Sequence, residues 1–338
     1  MVLDSEWDQY TALYGHAGVR PVHIIAVALA VINCILNGLI WYAFRLCSKE
    51  INKYHLHLFY AMAITNCLTG FFSIPTFINL FIHDNHRCPR WTILMGSAFE
   101  IGLDRMRAIV ALAIASDRLF AVCRPRNFFF MDHEKKAMRV CIFGMVWSTA
   151  DVLFMIFEEK IDKINTHCVS TSSSGEKFHT YFLISSVVDG VPLFIVYIIF
   201  LIKFLSIRRH LLTSEDRSSV GSRILSSPTT MIKRKGMKEL VGQANSLTIT
   251  VILCVLVFSV LPRALYGYDM IMHTVFFMDY GPVITIGYHL HGISSSFCYN
   301  YKHREIRRAL DRAYPIRKKT CLAHFSSSGK NEALVSKF

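Results

Sequence analysis

Residues 109–125 read IVALAIASDRLFAVCRP, and the charged pair Asp117-Arg118 inside that stretch decides how the whole chain is read. Upstream, Ile109–Ser116 is an almost unbroken apolar run. Downstream, Phe120–Cys123 is apolar again before Arg124-Pro125. An acid and a base side by side at the end of such a run are costly in hydrocarbon unless they lie at the water boundary or do a job. The pair therefore marks the inner or outer exit of a membrane span.

Working outward, the same kind of run recurs. The 338 residues are 53% hydrophobic and only 18% charged, with a mean hydropathy of +0.36; this is high for a soluble domain and ordinary for a multi-span membrane protein. A hydrocarbon core ~30 Å thick needs about 20 apolar residues per helix. Seven stretches qualify: Val22–Phe44, Leu56–Ile82, Thr92–Val122, Ala137–Phe157, His179–Leu205, Gln243–Tyr268 and Tyr280–Tyr301. The third and fifth exceed one bilayer thickness and must tilt or protrude. The runs are continuous rather than alternating, which disfavours a β-barrel. The predicted fold is all-α, a seven-transmembrane helix bundle.

Charge sets the orientation. Of 37 Lys and Arg, 27 fall in Arg45–Lys53, Arg124–Arg139, Lys203–Glu239 and Lys302–Phe338, and six (Arg20, Arg87, Arg90, Lys160, Lys163, Lys177) fall on the opposite side. The positive-inside rule then puts the N-terminus outside and the C-terminus in the cytoplasm. The net charge of +13 reads as attraction to the anionic inner leaflet of the lipid bilayer, and no nucleic-acid partner is expected. Met1–Tyr10 is acidic and lacks the basic start of a cleavable signal, so the first span is expected to act as its own insertion signal. The organisation implied is an extracellular N-terminus (1–21), the bundle (22–301), an amphipathic interfacial helix (302–314) and a cytoplasmic tail (315–338).

Asp117-Arg118-Leu119 resembles the Asp-Arg-Tyr signature of rhodopsin-like G-protein-coupled receptors, with Leu119 in place of Tyr. Other landmarks fall in register. Asn37 is similar to the first-helix asparagine. Asn66, 52 residues before Arg118, stands where the family has its second-helix aspartate. Trp147, Pro192 and Pro262 match the fourth-, fifth- and sixth-helix landmarks, although the Cys-Trp pair before Pro262 is missing. Ser295-Ser296-Phe297-Cys298-Tyr299 resembles Asn-Pro-x-x-Tyr with both leading residues replaced. Arg304–Leu310 resembles the surface-lying eighth helix, with Ile306 and Leu310 expected to face lipid. Such erosion, with compact loops, looks like the divergent nematode serpentine chemoreceptors.

That resemblance implies several roles. Arg118 would be held by Asp117 at rest and freed to meet a heterotrimeric G protein, with Tyr299 part of the same switch. Cys88 and Cys168, the two cysteines placed in exterior loops, would form the family's staple; two unpaired thiols are the other reading. Cys321 is a candidate for palmitoylation. Arrestin and a kinase are further partners at the serine-bearing third cytoplasmic loop (Ser218, Ser219, Ser222, Ser226, Ser227). With Asn66 replacing the aspartate, the family's sodium ion is not expected, and no cofactor is implied.

The outer half of the third span is crowded with charge. Asp104 lies ~21 Å and Glu100 ~27 Å from Arg118 along the helix axis, and their i,i+4 spacing puts them on one face. Glu100, Asp104 and Arg263 are the candidate contacts for a small-molecule ligand. The alternative is an internal network, with Asp104 paired to Arg107, and Glu100 to Arg105, Arg107 or Arg263. Asp151 and Asp189 are functional candidates or helix–helix struts. His289 and His291, two residues apart, point to different faces, and no metal site is expected.

No phosphate-cradling glycine loop, metal-spaced cluster or soluble catalytic domain is present in the sequence, so it is not read as an enzyme. Tyr280–Tyr301 lacks a lysine, which argues against a retinal Schiff base. The function expected is a chemosensory receptor at the plasma membrane, in the sensory cilium of a neuron. A neurotransmitter or neuropeptide receptor is the alternative within the superfamily. A transporter or ligand-gated channel subunit is the alternative outside it, against which stand the lack of an internal repeat and the charge-derived orientation.

Overall fold

Pro21 opens the first helix, where its missing N–H costs nothing and its fixed φ suits the first turn. In the computed structural model this helix, α1, runs Pro21–Leu46, and the His23 ring accepts the Arg20 amide at 3.0 Å. Then come α2 (His57–Ile82), β1 (Cys88–Pro89), α3 (Arg90–Cys123), the short α4 (Pro125–Phe130), α5 (His133–Glu158), β2 (Ile164–Asn165), α6 (Glu176–Gly221), α7 (Val283–Lys302) and α8 (Arg304–Ala313). The structure describes residues 19–46, 56–84, 87–165, 168, 173–221, 282–302 and 304–314, with isolated positions between 254 and 268. Most of the expected sixth span, the third cytoplasmic loop beyond Gly221 and the tail with Cys321 lie outside the described residues.

Helices α1, α2, α5 and the Glu176–Lys203 part of α6 are long and apolar enough to cross a bilayer. Their outward side chains, among them Ile24, Ile35, Phe143, Val146, Val187 and Ile202, are more than half exposed. An apolar exterior of this extent needs lipid as its solvent. Since lipid is as apolar as leucine, close packing and hydrogen bonds must hold the helices together. Gly70 shows how: a Cβ there would stand 2.6 Å from the Ala30 carbonyl oxygen and 2.9 Å from the Cys34 nitrogen, so only glycine lets α1 and α2 approach so closely. Helix α3 is central, packing against α2, α5 and α6.

Two elements depart from expectation. Helix α6 continues past Leu205, where the apolar run ends, as far as Gly221; no proline or glycine interrupts the segment after Lys203 until that glycine. In α8, Ile306 is buried with Phe44, Leu56 and Met62, and Leu310 packs beside them, so this face meets the bundle rather than the lipid. The Tyr314 hydroxyl donates to the Leu39 carbonyl at 3.3 Å, tying the end of α8 to α1.

At the opposite end Cys88 and Cys168 form a disulfide, with Cα atoms 5.3 Å apart, beside the antiparallel pairing of Cys88 with Asn165 and Pro89 with Ile164. Arg90, counted in the sequence among the exterior basic residues, is fully buried. Its Nε donates to Ser173 O at 2.7 Å. Its Nη1 donates to Glu159 O at 2.6 Å and Ile156 O at 3.2 Å, and Nη2 to Met155 O. A guanidinium thus satisfies the last carbonyls of α5, where a helix terminus carries partial negative charge. Glu158 performs the converse service for α6, its carboxylate accepting the Gly175 and Phe178 amides at 3.0 Å each. Hydrogen bonds to a charged group contribute ~1.5–3 kcal/mol each. Arg90→Ala should therefore lower the thermal unfolding temperature of detergent-solubilised protein substantially, by more than loss of the exposed Lys163–Glu159 pair in Lys163→Ala.

Candidate functional site

The charges on the outer half of α3 divide between two directions. Arg105 faces α5 and α6. Its Nε donates to Asp151 Oδ2 at 2.8 Å, its Nη1 to Asp189 and its Nη2 to the Ser185 hydroxyl. The guanidinium also lies 5.2 Å from the centroid of the Trp147 ring. Trp147 Nε1 donates to the Tyr181 hydroxyl at 3.0 Å, and that hydroxyl donates to the second oxygen of Asp151. One cation, two carboxyls and two aromatic side chains therefore join three helices at membrane depth.

Arg107 faces the other way. It donates to Asp104 through Nη2 and to the Tyr288 carbonyl of α7 at 3.1 Å, and it lies 4.6 Å over the Tyr288 ring. Glu100 shares this side but is not part of that pair. It is 2% exposed, and its Oε1 has no hydrogen-bond partner. The hydroxyls of Ser73 on α2 and Thr285 on α7 flank its carboxyl, with Asp104 and Arg107 the nearby charges. His289, one turn beyond Thr285, is buried too, and its Nε2 is likewise without a partner.

Beneath these groups an amide network joins α1, α2 and α7. Asn37 Nδ2 donates to Asn33 Oδ1 at 2.8 Å and to the Gly292 carbonyl at 3.3 Å. Asn33 Nδ2 donates to the Asn66 carbonyl at 2.9 Å and lies 3.5 Å from His289 Nδ1. A Cβ on Gly292 would stand 2.2 Å from Asn33 Oδ1, so α7 reaches the network only because that position is glycine.

At the other end of α3, Asp117 pairs with Lys136 of α5 and lies 3.8 Å from His133 Nδ1. The Arg118 guanidinium lies 5.0 Å over the Phe59 ring. The Asp117 carboxylate thus has a cation from α5 as a partner, which the sequence reading did not include.

A seven-helix plan built on a charged central helix, stapled outside by a disulfide, meets its match in one comparison. The family model described as "Serpentine type 7TM GPCR chemoreceptor Srbc" matches residues 19–293. The chain belongs to that family. It is a multi-pass membrane protein of the serpentine chemoreceptor type, and the class within those receptors, left open by the residues alone, is Srbc. No curated protein matches the chain.

Within this Srbc fold the sequence landmarks are placed as follows. Asn37 and Asn66 meet in the amide network, with Asn66 Nδ2 3.4 Å from Asn37 Oδ1. Trp147 belongs to the Arg105 cluster. Pro192 lies inside α6. Pro262 is buried, its ring reaching to within 2.8 Å of where a Gly287 Cβ would stand. Tyr299 is in α7, but its side chain lies outside the described residues, as does Arg263. Asp104 pairs with Arg107, as the internal-network reading has it. Arg105, one of three open partners for Glu100 in the sequence reading, joins Asp151 and Asp189.

Removing one member of a buried ionic cluster leaves the others uncompensated, at a cost on the order of 3–5 kcal/mol, whereas replacing all members by apolar residues of similar volume is often neutral or stabilising. Arg105→Met should thus collapse thermal stability. The triple variant Arg105→Met, Asp151→Leu, Asp189→Leu should recover most of it in the same melting assay.

Proposed function

We propose that this protein is a plasma-membrane chemosensory receptor. It binds an external small molecule between α2, α3 and α7 and passes the signal to a heterotrimeric G protein from the cytoplasmic end of α3. The observation that carries this reading is the contrast along one helix. Every described cation in the outer half of α3 is engaged by protein groups, yet Glu100 keeps a buried oxygen without a partner. A buried carboxyl left so is expensive, and a ligand donor seated there would relieve it. About 27 Å along the same helix stand Asp117 and Arg118, at the basic face expected to meet the G protein. A receptor for a cationic transmitter is the second reading, and Glu100 is the residue that favours it. Expression in a sensory neuron's cilium, and regulation by kinase and arrestin at the third cytoplasmic loop, belong to the same proposal.

The test is nucleotide exchange on a panel of G proteins during a screen of odorants and amines. With an agonist in hand, Glu100→Gln should weaken potency by roughly one to two orders of magnitude, since a bond to a charged group contributes ~1.5–3 kcal/mol. Surface expression should hold. Unchanged potency with a lowered melting temperature would assign Glu100 to structure instead. Arg118→Ala should abolish agonist-driven exchange while leaving surface delivery intact, and normal exchange in that variant would remove Arg118 from the switch.

A further inference from the structure

The cytoplasmic end of α3 is held from an unexpected side. Asp132 caps α5 by accepting the Lys135 amide at 3.0 Å, and that amide holds the Asp132 carboxyl below its ordinary pKa range. The cap fixes the first turn of α5, where His133 and Lys136, three residues apart, share one helix face. Both turn toward Asp117. Lys136 Nζ bonds Oδ1, and His133 Nδ1 lies 3.8 Å from Oδ2. His133 has a second engagement. Its Nε2 lies 2.8 Å from the Phe128 carbonyl, and its ring meets the Phe128 ring edge-on at 4.4 Å. Phe128 belongs to α4, the short helix that also carries Phe130, whose side chain is 84% exposed. The Arg118 guanidinium lies 5.0 Å over the ring of Phe59 on α2.

We propose that Lys136 and His133 are positioning residues that set the resting state. They clamp the α3 terminus and the second cytoplasmic loop as one unit through Asp117, and release of that clamp frees α4 and its exposed aromatic surface. The inference rests on the receptor reading, and it assigns the restraint to groups that reading does not include. The geometry is suited to the task. Asp117 is largely buried while Lys136 is about one-third exposed, so the pair is strong enough to hold and wet enough to open. A charge-assisted bond at a half-wet site suits a two-state element because either partner can be solvated when the other leaves.

Cys123, exposed at the last turn of α3, is a built-in reporter. A fluorophore would be attached there in a background carrying Cys47→Ser and Cys321→Ser. Lys136→Gln should loosen the label, read as a drop in fluorescence anisotropy, and should raise ligand-independent nucleotide exchange roughly three- to ten-fold. Lys136→Arg should keep both values near those of the unaltered protein. The swap of Asp117→Lys with Lys136→Asp should restore both, which a merely destabilising change would not allow. Unchanged anisotropy in Lys136→Gln overturns the clamp outright. So does a loosened label with no rise in basal exchange, provided the parent responds to agonist, because the clamp would then hold structure and not signalling state. A parent that activates no G protein while the anisotropy series behaves as expected counts against the receptor reading and leaves the clamp supported.

Discussion

A guanidinium cannot stand without partners at hydrocarbon depth, and this fold is arranged around that constraint. Helix α3 brings Arg90, Arg105 and Arg107 into the bundle, all nearly or wholly buried. Each is satisfied by a different neighbour: the end of α5, the Asp151–Asp189 pair on α5 and α6, and Asp104 with the α7 backbone. With no hydrophobic force to drive helices together in lipid, these contacts specify which helices flank α3 and in which rotation. The disulfide at Cys88 fixes the outer end of the same helix. Apolar packing then fills the inner half, where Val110, Ile114 and Ala115 lie among Phe44, Leu56 and Met62.

Below the Arg107–Asp104 pair, the contacts that join α1, α2 and α7 are neutral. Asn33, Asn37 and Asn66 exchange amide hydrogen bonds across three helices without burying a charge. An amide has donors and acceptors enough to knit backbone carbonyls directly, and the Gly292 carbonyl is one of them. Asn66 donates through its Nδ2 and accepts through its backbone carbonyl. Close helix approach at Gly70 and Gly292 is what brings these short side chains into reach.

Much of this was legible in the sequence because it depends on local pattern. Continuous apolar runs gave the helices, lysine and arginine counts gave the expected orientation, and two cysteines outside the spans pointed to the bridge. The Asp104–Arg107 pair was legible because it is an i,i+3 contact within one helix. The choice of Arg105 for Asp151 and Asp189 was not, because it crosses 46 and 84 residues and depends on helix rotation. Arg90 misled for a related reason. A basic residue next to an exterior loop is normally solvated, and nothing local signals that the carbonyl end of a helix 65 residues later is its partner. Ile306 and Lys136 share that character, since an amphipathic pattern shows that a face exists and not which neighbour covers it.

The two halves of the bundle are therefore unequal in what they can do. A ligand shifts an equilibrium only by interacting differently with the two states. On the α5–α6 side the ionic contacts are already made by protein groups, so a small molecule has little to add without first breaking a buried cluster. On the α2–α7 side Glu100 and His289 retain polar atoms without partners, beside the Asp104–Arg107 pair and above a network of neutral amide bonds. Differential contact is cheapest there. The same helix that carries Glu100 ends at Asp117, where a partly exposed lysine supplies the ion pair. On the receptor reading proposed above, the Arg105 cluster near the middle of α3 lies between the Glu100 site and the Asp117–Lys136 clamp, so a signal passing between them along α3 has to cross it.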